Sequence, residues 1–218
     1  MDVANPLRSV APTVEADVLQ VLALTHAPLT GVTVERLAGR SHGQVREVLR
    51  RLSAHGLVDA TRAGNAVQYQ LNREHVLSDA VLLAVRAVST VEDRLSDFIG
   101  TRWPAPSSVV VFGSYARRDG NSESDVDVLV VRSDALDPDD ASWGELRTDV
   151  ARKLERWTGN PCQVVDLSVS ELRHADAEQE SLVAALRADG HTVFGSSIAD
   201  LLDSNGSHRS LDPRPASS

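Results

Sequence analysis

Two short apolar runs bracket the segment that most constrains this chain. Val109-Val-Val-Phe112 leads into Gly113-Ser114, ten residues follow, and Asp125-Val-Asp127 then opens the run Val128-Leu-Val-Val131. Valine-rich runs of this length, bounded by turn residues, read as buried strands. Side chains alternate faces along a strand, so Asp125 and Asp127 project to the same side. Two carboxylates that close together repel, and they are costly unless a cation bridges them. A hard divalent cation such as Mg²⁺, bound through carboxylate and phosphate oxygens, fits that arrangement. Gly113 lets backbone approach a phosphate closely, and the Ser114 hydroxyl and nearby amides can donate hydrogen bonds to its oxygens. A phosphate-binding turn beside a metal-binding carboxylate pair is the minimum equipment for phosphoryl or nucleotidyl transfer. The bland alternative is a tight turn followed by an edge strand carrying solvated aspartates.

The pattern Gly-Ser, ten residues, Asp-x-Asp between two strands resembles the minimal nucleotidyltransferases of the DNA polymerase β superfamily. That resemblance implies a small domain with a mixed sheet flanked by helices. It also implies a nucleoside triphosphate bound at Gly113 and Ser114, and Mg²⁺ or Mn²⁺ held by Asp125 and Asp127. Members of the family carry a third carboxylate on a neighbouring strand. Pro161-Cys-Gln-Val-Val-Asp-Leu-Ser168 reads as a short buried strand, and Asp166 is its only acid. In that role Asp166 completes a second metal site and helps activate the attacking hydroxyl. Two ions about 3.5–4 Å apart lower the nucleophile's pKa and hold the departing pyrophosphate. The competing reading makes Asp166 a cap for the turn where Ser168 and Ser170 sit.

The match has one departure. Many relatives have Ala-Arg-Gly after the Gly-Ser turn, whereas this chain has Ala116-Arg117-Arg118-Asp119-Gly120. An arginine stands at the expected glycine, and a glycine appears two positions later. A guanidinium pairs with phosphate in a bidentate way, so Arg117 and Arg118 are both candidate phosphate ligands. Arg118 could equally face solvent. The single lysine, Lys153, lies on a predicted helix, and relatives place a helical lysine near the triphosphate. A solvated surface lysine is the plainer reading.

Other chemistries lack their signatures. There is no G-x-S-x-G elbow and no eight-residue P-loop, which disfavours a serine hydrolase or a Walker-type NTPase. The single cysteine, Cys162, excludes an internal disulfide and multi-cysteine zinc clusters. His26, His55, His75, His174, His191 and His208 are scattered without metal-ligand spacing. No run approaches the eighteen or so apolar residues of a membrane span, and the N-terminus lacks a signal-peptide pattern. These features suggest a soluble, cytoplasmic protein.

Charge separates two parts of the 218-residue chain. Residues 1–75 hold eight Arg against seven Asp or Glu, a balance of +1. The remainder holds 14 Lys or Arg against 24 Asp or Glu, a balance of −10. Such asymmetry suggests two domains with different partners.

Within the first part, Glu15 to about His26 reads as a helix on the spacing of Val18, Leu19, Leu22 and Leu24. Thr33–Arg40 reads as a short, Thr-capped helix. Ser41 caps a longer helix through His55, with Val45, Val48, Leu49 and Leu52 as its buried stripe and Gly56 as its stop. Leu57–Ala60, a turn at Arg62–Asn65, and Ala66–Leu71 form a hairpin. Helix, short helix, helix and hairpin in that order resemble a winged helix-turn-helix. In that fold the helix from Ser41 enters a major groove. His42, Gln44, Arg46 and Arg50 are then candidates for DNA bases or phosphates, and Arg62 for the backbone. A winged fold also serves as a protein-docking module, and the near-neutral charge fits DNA only for a dimer.

A long helical pattern spans Asn72 or Arg73 to about Ile99, carrying Leu77, Val81, Ala84, Val85, Val88, Val91, Leu95 and Phe98 in three- and four-residue steps. It could pair two copies as a homodimer, open the second domain, or do both. Later helices are expected at Trp143–Trp157 and Ala177–Ala188, a final strand at His191–Phe194, and a disordered tail from Asp203. The chain therefore reads as an α+β protein. Its parts are a winged domain (1–75), a connecting helix (76–101), a nucleotidyltransferase domain (102–202) and a tail (203–218).

The leading functional expectation is transfer of a nucleotidyl group from a nucleoside triphosphate to an acceptor hydroxyl, with release of pyrophosphate. Resemblance to the minimal members points to a partner protein in a toxin–antitoxin system, a tRNA end or a small drug-like molecule as acceptor. The alternative is a transcription regulator whose transferase fold only senses nucleotide. An intact carboxylate trio would favour the enzyme.

Overall fold

The computed structural model describes residues 1–203. The expected tail lies outside the described residues, apart from Asp203, which falls within a helix. Among the described residues, no helix is long and apolar enough to cross a membrane.

Near the N-terminus, a short helix α1 (Leu7–Val10) precedes α2 (Val14–Leu24), β1 (Leu29–Thr30), α3 (Gly31–Ala38), α4 (His42–Ala54), β2 (Val58–Ala63) and β3 (Ala66–Leu71). The capping chemistry explains the boundaries. Thr30, rather than Thr33, caps α3 by accepting the Thr33 N–H at 3.3 Å, and Gly39 ends it in the left-handed region at φ 63°. Ser41 and Gln44 form a reciprocal capping box at the start of α4, which spends the Gln44 carboxamide on structure. Val45, Val48, Leu49 and Leu52 are buried against Val18, Leu22, Val34 and Val58, as their spacing requires. The hairpin pairs with the two-residue β1 in the antiparallel order β1-β3-β2. Asp17, only 2% exposed, accepts from Arg8 at 2.6 Å, Arg40 at 2.5 Å and Asn5 at 3.0 Å. That buried carboxylate ties the N-terminal segment to the α3–α4 turn.

The continuous helix expected from Asn72 to Ile99 is two helices. α5 (Ser78–Val85) and α6 (Ala87–Gly100) meet at Arg86. The cause is packing: Val81, Leu82 and Val85 join the N-terminal core, whereas Val88, Val91, Leu95 and Ile99 line the core of the second half. The joint turns one apolar stripe toward two cores. Leu77 stays exposed, whereas Val81, Val88, Val91 and Leu95 are buried, so only part of the proposed pairing stripe faces solvent.

The second half is built on a four-stranded mixed sheet of order β6-β5-β4-β7, formed by β4 (Ser108–Phe112), β5 (Val126–Arg132), β6 (Cys162–Ser168) and β7 (His191–Gly195). β5 runs antiparallel to β4 and parallel to β6, and β7 is antiparallel to β4. α6 and α8 (Ala141–Thr158) cover one face, where Trp143, Leu146, Val150 and Leu154 pack on Val126, Val128 and Val130. α9 (Val169–Ala177), α10 (Ser181–Asp189) and α11 (Ile198–Asp203) cover the other, where Leu172, Val183 and Leu186 pack on Val110, Leu129 and Val131. The alternation of side chains along β5 thus decides which layer each residue serves. The helix expected at Ala177–Ala188 is α10, which starts at Ser181, while α9, opened by a capping box between Ser168 and Glu171, was not expected from the sequence. The N-terminal segment reaches this half as well: Val3 is buried in its core, and the Val3 and Ala4 N–H groups donate to the Gly120 carbonyl at 3.0 Å.

Candidate nucleotide-transfer site

The turn after β4 is a five-residue helix, α7 (Gly113–Arg117). β4 and β5 are in register with Phe112 opposite Asp127, so the start of the turn lies against the second aspartate. Gly113 sits at φ +71°, and a Cβ built there would lie 2.6 Å from Asp127 Oδ2. Only glycine permits both the backbone conformation and that approach. Gly120 is similarly confined, since its Cβ would meet Ser114 Oγ at 3.1 Å and Ser124 Cβ at 3.3 Å. The loop between turn and carboxylates is held from β6's side by Asn160, which is 1% exposed. Asn160 Nδ2 donates to the Asn121 carbonyl at 3.1 Å and the Ser124 carbonyl at 2.9 Å.

Asp125 and Asp127 share the sheet face covered by α9 and α10. Asp127 is half-buried, and its carboxyl is held above the ordinary range, first by desolvation and then by repulsion from Asp125. Arg117 opposes this, and Asp189 adds to it. A pair of mutually repelling, partly desolvated carboxylates is a fitting donor set for a hard divalent cation.

The structure does not bring Asp166 to this pair. In the parallel register between β5 and β6, Asp127 stands opposite Gln163, and Asp166 stands opposite Val130. Three residues along a strand is roughly 10 Å, and an odd offset reverses the face. Asp166 therefore lies on the α8 side, where it accepts from Arg132 at 3.0 Å, Arg147 at 2.9 Å and the Trp143 indole N–H at 3.0 Å. Its oxygens are committed to a structural network, so it neither completes a second metal site nor caps the following turn. The place beside the pair belongs to Gln163, whose amide donates to Asp125 Oδ2 at 2.6 Å. Among the described residues, no group of three His, Cys, Asp or Glu side chains is placed to hold a metal ion.

The two arginines diverge. Arg117 stays at the turn, donating to Asp119 at 3.0 Å and to Asp189 at 2.5 Å. Arg118 adopts the left-handed conformation, φ 58°, at the position where glycine was expected. Its side chain turns away to Glu92 on α6 at 3.3 Å, and the phosphate role expected for it has no support in this arrangement. Lys153 lies over the Phe98 ring at 5.7 Å, in the α6–α8 layer on the opposite face. Asp189, Gln163 and Asn160 carried no sequence signal, because each is placed by register or tertiary packing.

Nearer the N-terminus, His42, Arg46 and Arg50 are exposed along α4, and Arg62 is exposed on β2. His42 contacts Glu35 at 2.9 Å, and Arg50 pairs with Glu47 at 2.6 Å, which tempers their availability to an anion. An open cleft between α4 and the hairpin is lined by His42, Arg46, Asn65 and Val67.

Gly113→Ala provides a first test of the geometry. The left-handed backbone alone costs a non-glycine residue about 1–2 kcal/mol, and the new Cβ also displaces the Asp127 carboxylate. Thermal melting should show destabilisation, and triphosphate affinity should fall with it. Gly159→Ala is the control. That glycine also has a positive φ, 75°, with nothing within 4 Å of a built Cβ, so the variant should lose stability and keep nucleotide affinity.

Known proteins resemble this chain in part. A toxin–antitoxin crystal structure with AMP-PNP is similar at 24% identity and TM-score 0.36, covering 51% of this chain and 78% of that one. A mutant of the toxin–antitoxin MntA-HpeT is similar at 22% identity and TM-score 0.36, with the same coverage. TrmBL2, described as an archaeal chromatin protein with a novel mode of DNA binding, is similar at 17% identity and TM-score 0.26, covering 80% and 68%. No curated protein matches the chain. Residues 92–172, which contain β4, the turn, both aspartates and β6, match the family model of the nucleotidyltransferase domain.

Proposed function

We propose that this chain is a metal-dependent nucleotidyltransferase carrying a winged helix-turn-helix domain for DNA. The carrying observation is the approach of Gly113 to Asp127, which sets the Gly113–Ser114 turn directly beside a carboxylate pair. Gly113 and Ser114 receive the triphosphate, and Arg117 neutralises it from the turn. Asp125 and Asp127 hold Mg²⁺ or Mn²⁺, which when bound would polarise the phosphate and screen its charge. Gln163 orients Asp125 through its amide. The acceptor hydroxyl belongs to a protein or a tRNA end, because a DNA-binding partner domain suits an autoregulated toxin–antitoxin operon.

Incubation with labelled nucleoside triphosphates, Mg²⁺ and extract of the source cells tests this reading. Label should appear on a protein or RNA and vanish with Asp127→Ala. A second reading has a specific observation behind it: with Gln163 where a third carboxylate would complete the site, a nucleotide sensor that regulates transcription is also consistent. Nucleotide-dependent DNA affinity without label transfer would support the sensor.

DNA contact is separately testable on the full chain. Arg46 and Arg50 lie off the buried stripe of α4, so replacing both with Ala should change stability by no more than about 0.5 kcal/mol. In mobility shifts the double variant should lose at least about tenfold in affinity and show a shallower salt dependence, since each phosphate contact releases counterions. Unchanged binding, or no preference of the native protein for any fragment of its own upstream region, would favour a docking module instead.

A further inference from the structure

The phosphate-binding turn already holds an anion supplied by the chain itself. Asp189 closes α10, and Gly190 follows it where a Cβ would collide with the Leu186 carbonyl. This close packing fixes the end of the helix over the turn. From there, Asp189 Oδ1 accepts the Gly113 N–H at 3.4 Å, and Oδ2 accepts from Arg117 at 2.5 Å. The side chain is only 12% exposed. A backbone N–H and a guanidinium converging on two oxygens is the contact pattern with which such a turn receives a phosphate. One carboxylate therefore uses the donors that the proposed nucleotide needs.

We propose that Asp189 is a specificity-determining residue: its carboxylate competes with ligand phosphate for Gly113 and Arg117, so that only a highly charged phosphate chain enters the turn. This rests on the nucleotidyltransferase reading of the same site. A charge-assisted hydrogen bond to guanidinium is roughly twice as strong as a neutral one, and a single anionic oxygen pair matches a monophosphate closely. A triphosphate brings further oxygens and more charge, and it outcompetes the carboxylate where a monophosphate does not. The competition disfavours rebinding of short phosphates and leaves the turn occupied between turnovers.

The test compares native protein with Asp189→Asn and Asp189→Ala by calorimetric titration. Inorganic triphosphate, pyrophosphate and AMP serve as probes in the presence of Mg²⁺, and thermal melting verifies the fold. Both variants should bind AMP and pyrophosphate about tenfold or more tightly than the native chain, about 1.4 kcal/mol. Their gain for triphosphate should be smaller, so that discrimination narrows. Affinities that fall in folded variants would overturn the proposal and leave Asp189 as a support for Arg117. Equal affinities in all three proteins would overturn it too. If the native chain binds none of the probes and the variants bind none either, the phosphate-binding reading of the turn fails with it, an outcome distinguishable from the first two by the native titration alone.

Discussion

Asp127→Asn is expected to reduce Mg²⁺-dependent triphosphate affinity at least about a hundredfold while leaving the chain folded. The substitution keeps the side chain's shape and removes one of the two anionic groups that could hold the cation. A bound metal contributes several kcal/mol of charge stabilisation, and each 1.4 kcal/mol is a factor of ten. Stability should move in the opposite direction. Burial and Asp125 hold the Asp127 carboxyl above its ordinary range, so the folded chain retains that proton to higher pH than the unfolded chain does. The associated stabilisation is complete below the ordinary carboxylate range and is lost as pH rises through the raised value. Asparagine cannot ionise and escapes that loss. Melting curves of the metal-free proteins should therefore coincide in acid and separate above the carboxylate range, with the variant melting higher. A variant that binds Mg²⁺-triphosphate as tightly as the native chain would contradict the metal role of the pair.

Asp166→Ala is expected to have the opposite profile, a large loss of stability with little change in nucleotide affinity. Its side chain is 10% exposed, and that of its partner Arg132 is 7% exposed. Removing the carboxylate strands a buried guanidinium and leaves the Trp143 N–H and Arg147 without their acceptor. Breaking a buried ion pair from one side costs about 3–5 kcal/mol. The lower end applies, because Glu171 still meets Arg132 at 2.9 Å. Denaturant unfolding measures the cost, and titration of the folded variant with Mg²⁺-triphosphate measures the site. A folded variant that had lost nucleotide binding would return Asp166 to the site, against the register of β5 and β6.

The contrast between these two aspartates shows what could be read in the chain. The juxtaposition of Asp125 and Asp127 was legible because it depends on a local rule, alternation along one strand, and because Gly113 lies at a fixed, short separation from them. The helices α2, α4 and α8 were legible for the same reason: their apolar spacing and caps are local. Asp166 misled because its role depends on which residue of β5 it pairs with. A shift of one or three positions between parallel strands moves a side chain to the other face, and nothing within Pro161–Ser168 declares the register. The joint at Arg86 was hidden likewise, since Val81 and Val88 continue one apolar pattern although they enter different cores. Asp189 and Asn160 act across the fold, the former from the end of α10 and the latter from the turn before β6, so neither spacing nor composition points to them.

The most direct measurement of the central claim is a comparison of two labels. Native protein, Mg²⁺ and cell extract are incubated with nucleoside triphosphate labelled at either the α- or the γ-phosphate, beside Asp125→Asn and Asp127→Asn. Nucleotidyl transfer predicts that α-label becomes attached to a protein or RNA acceptor, that γ-label leaves as pyrophosphate, and that both events disappear in the two variants. Attachment of γ-label, or α-label attached equally by native protein and variants, would contradict the assignment of this site to nucleotidyl transfer.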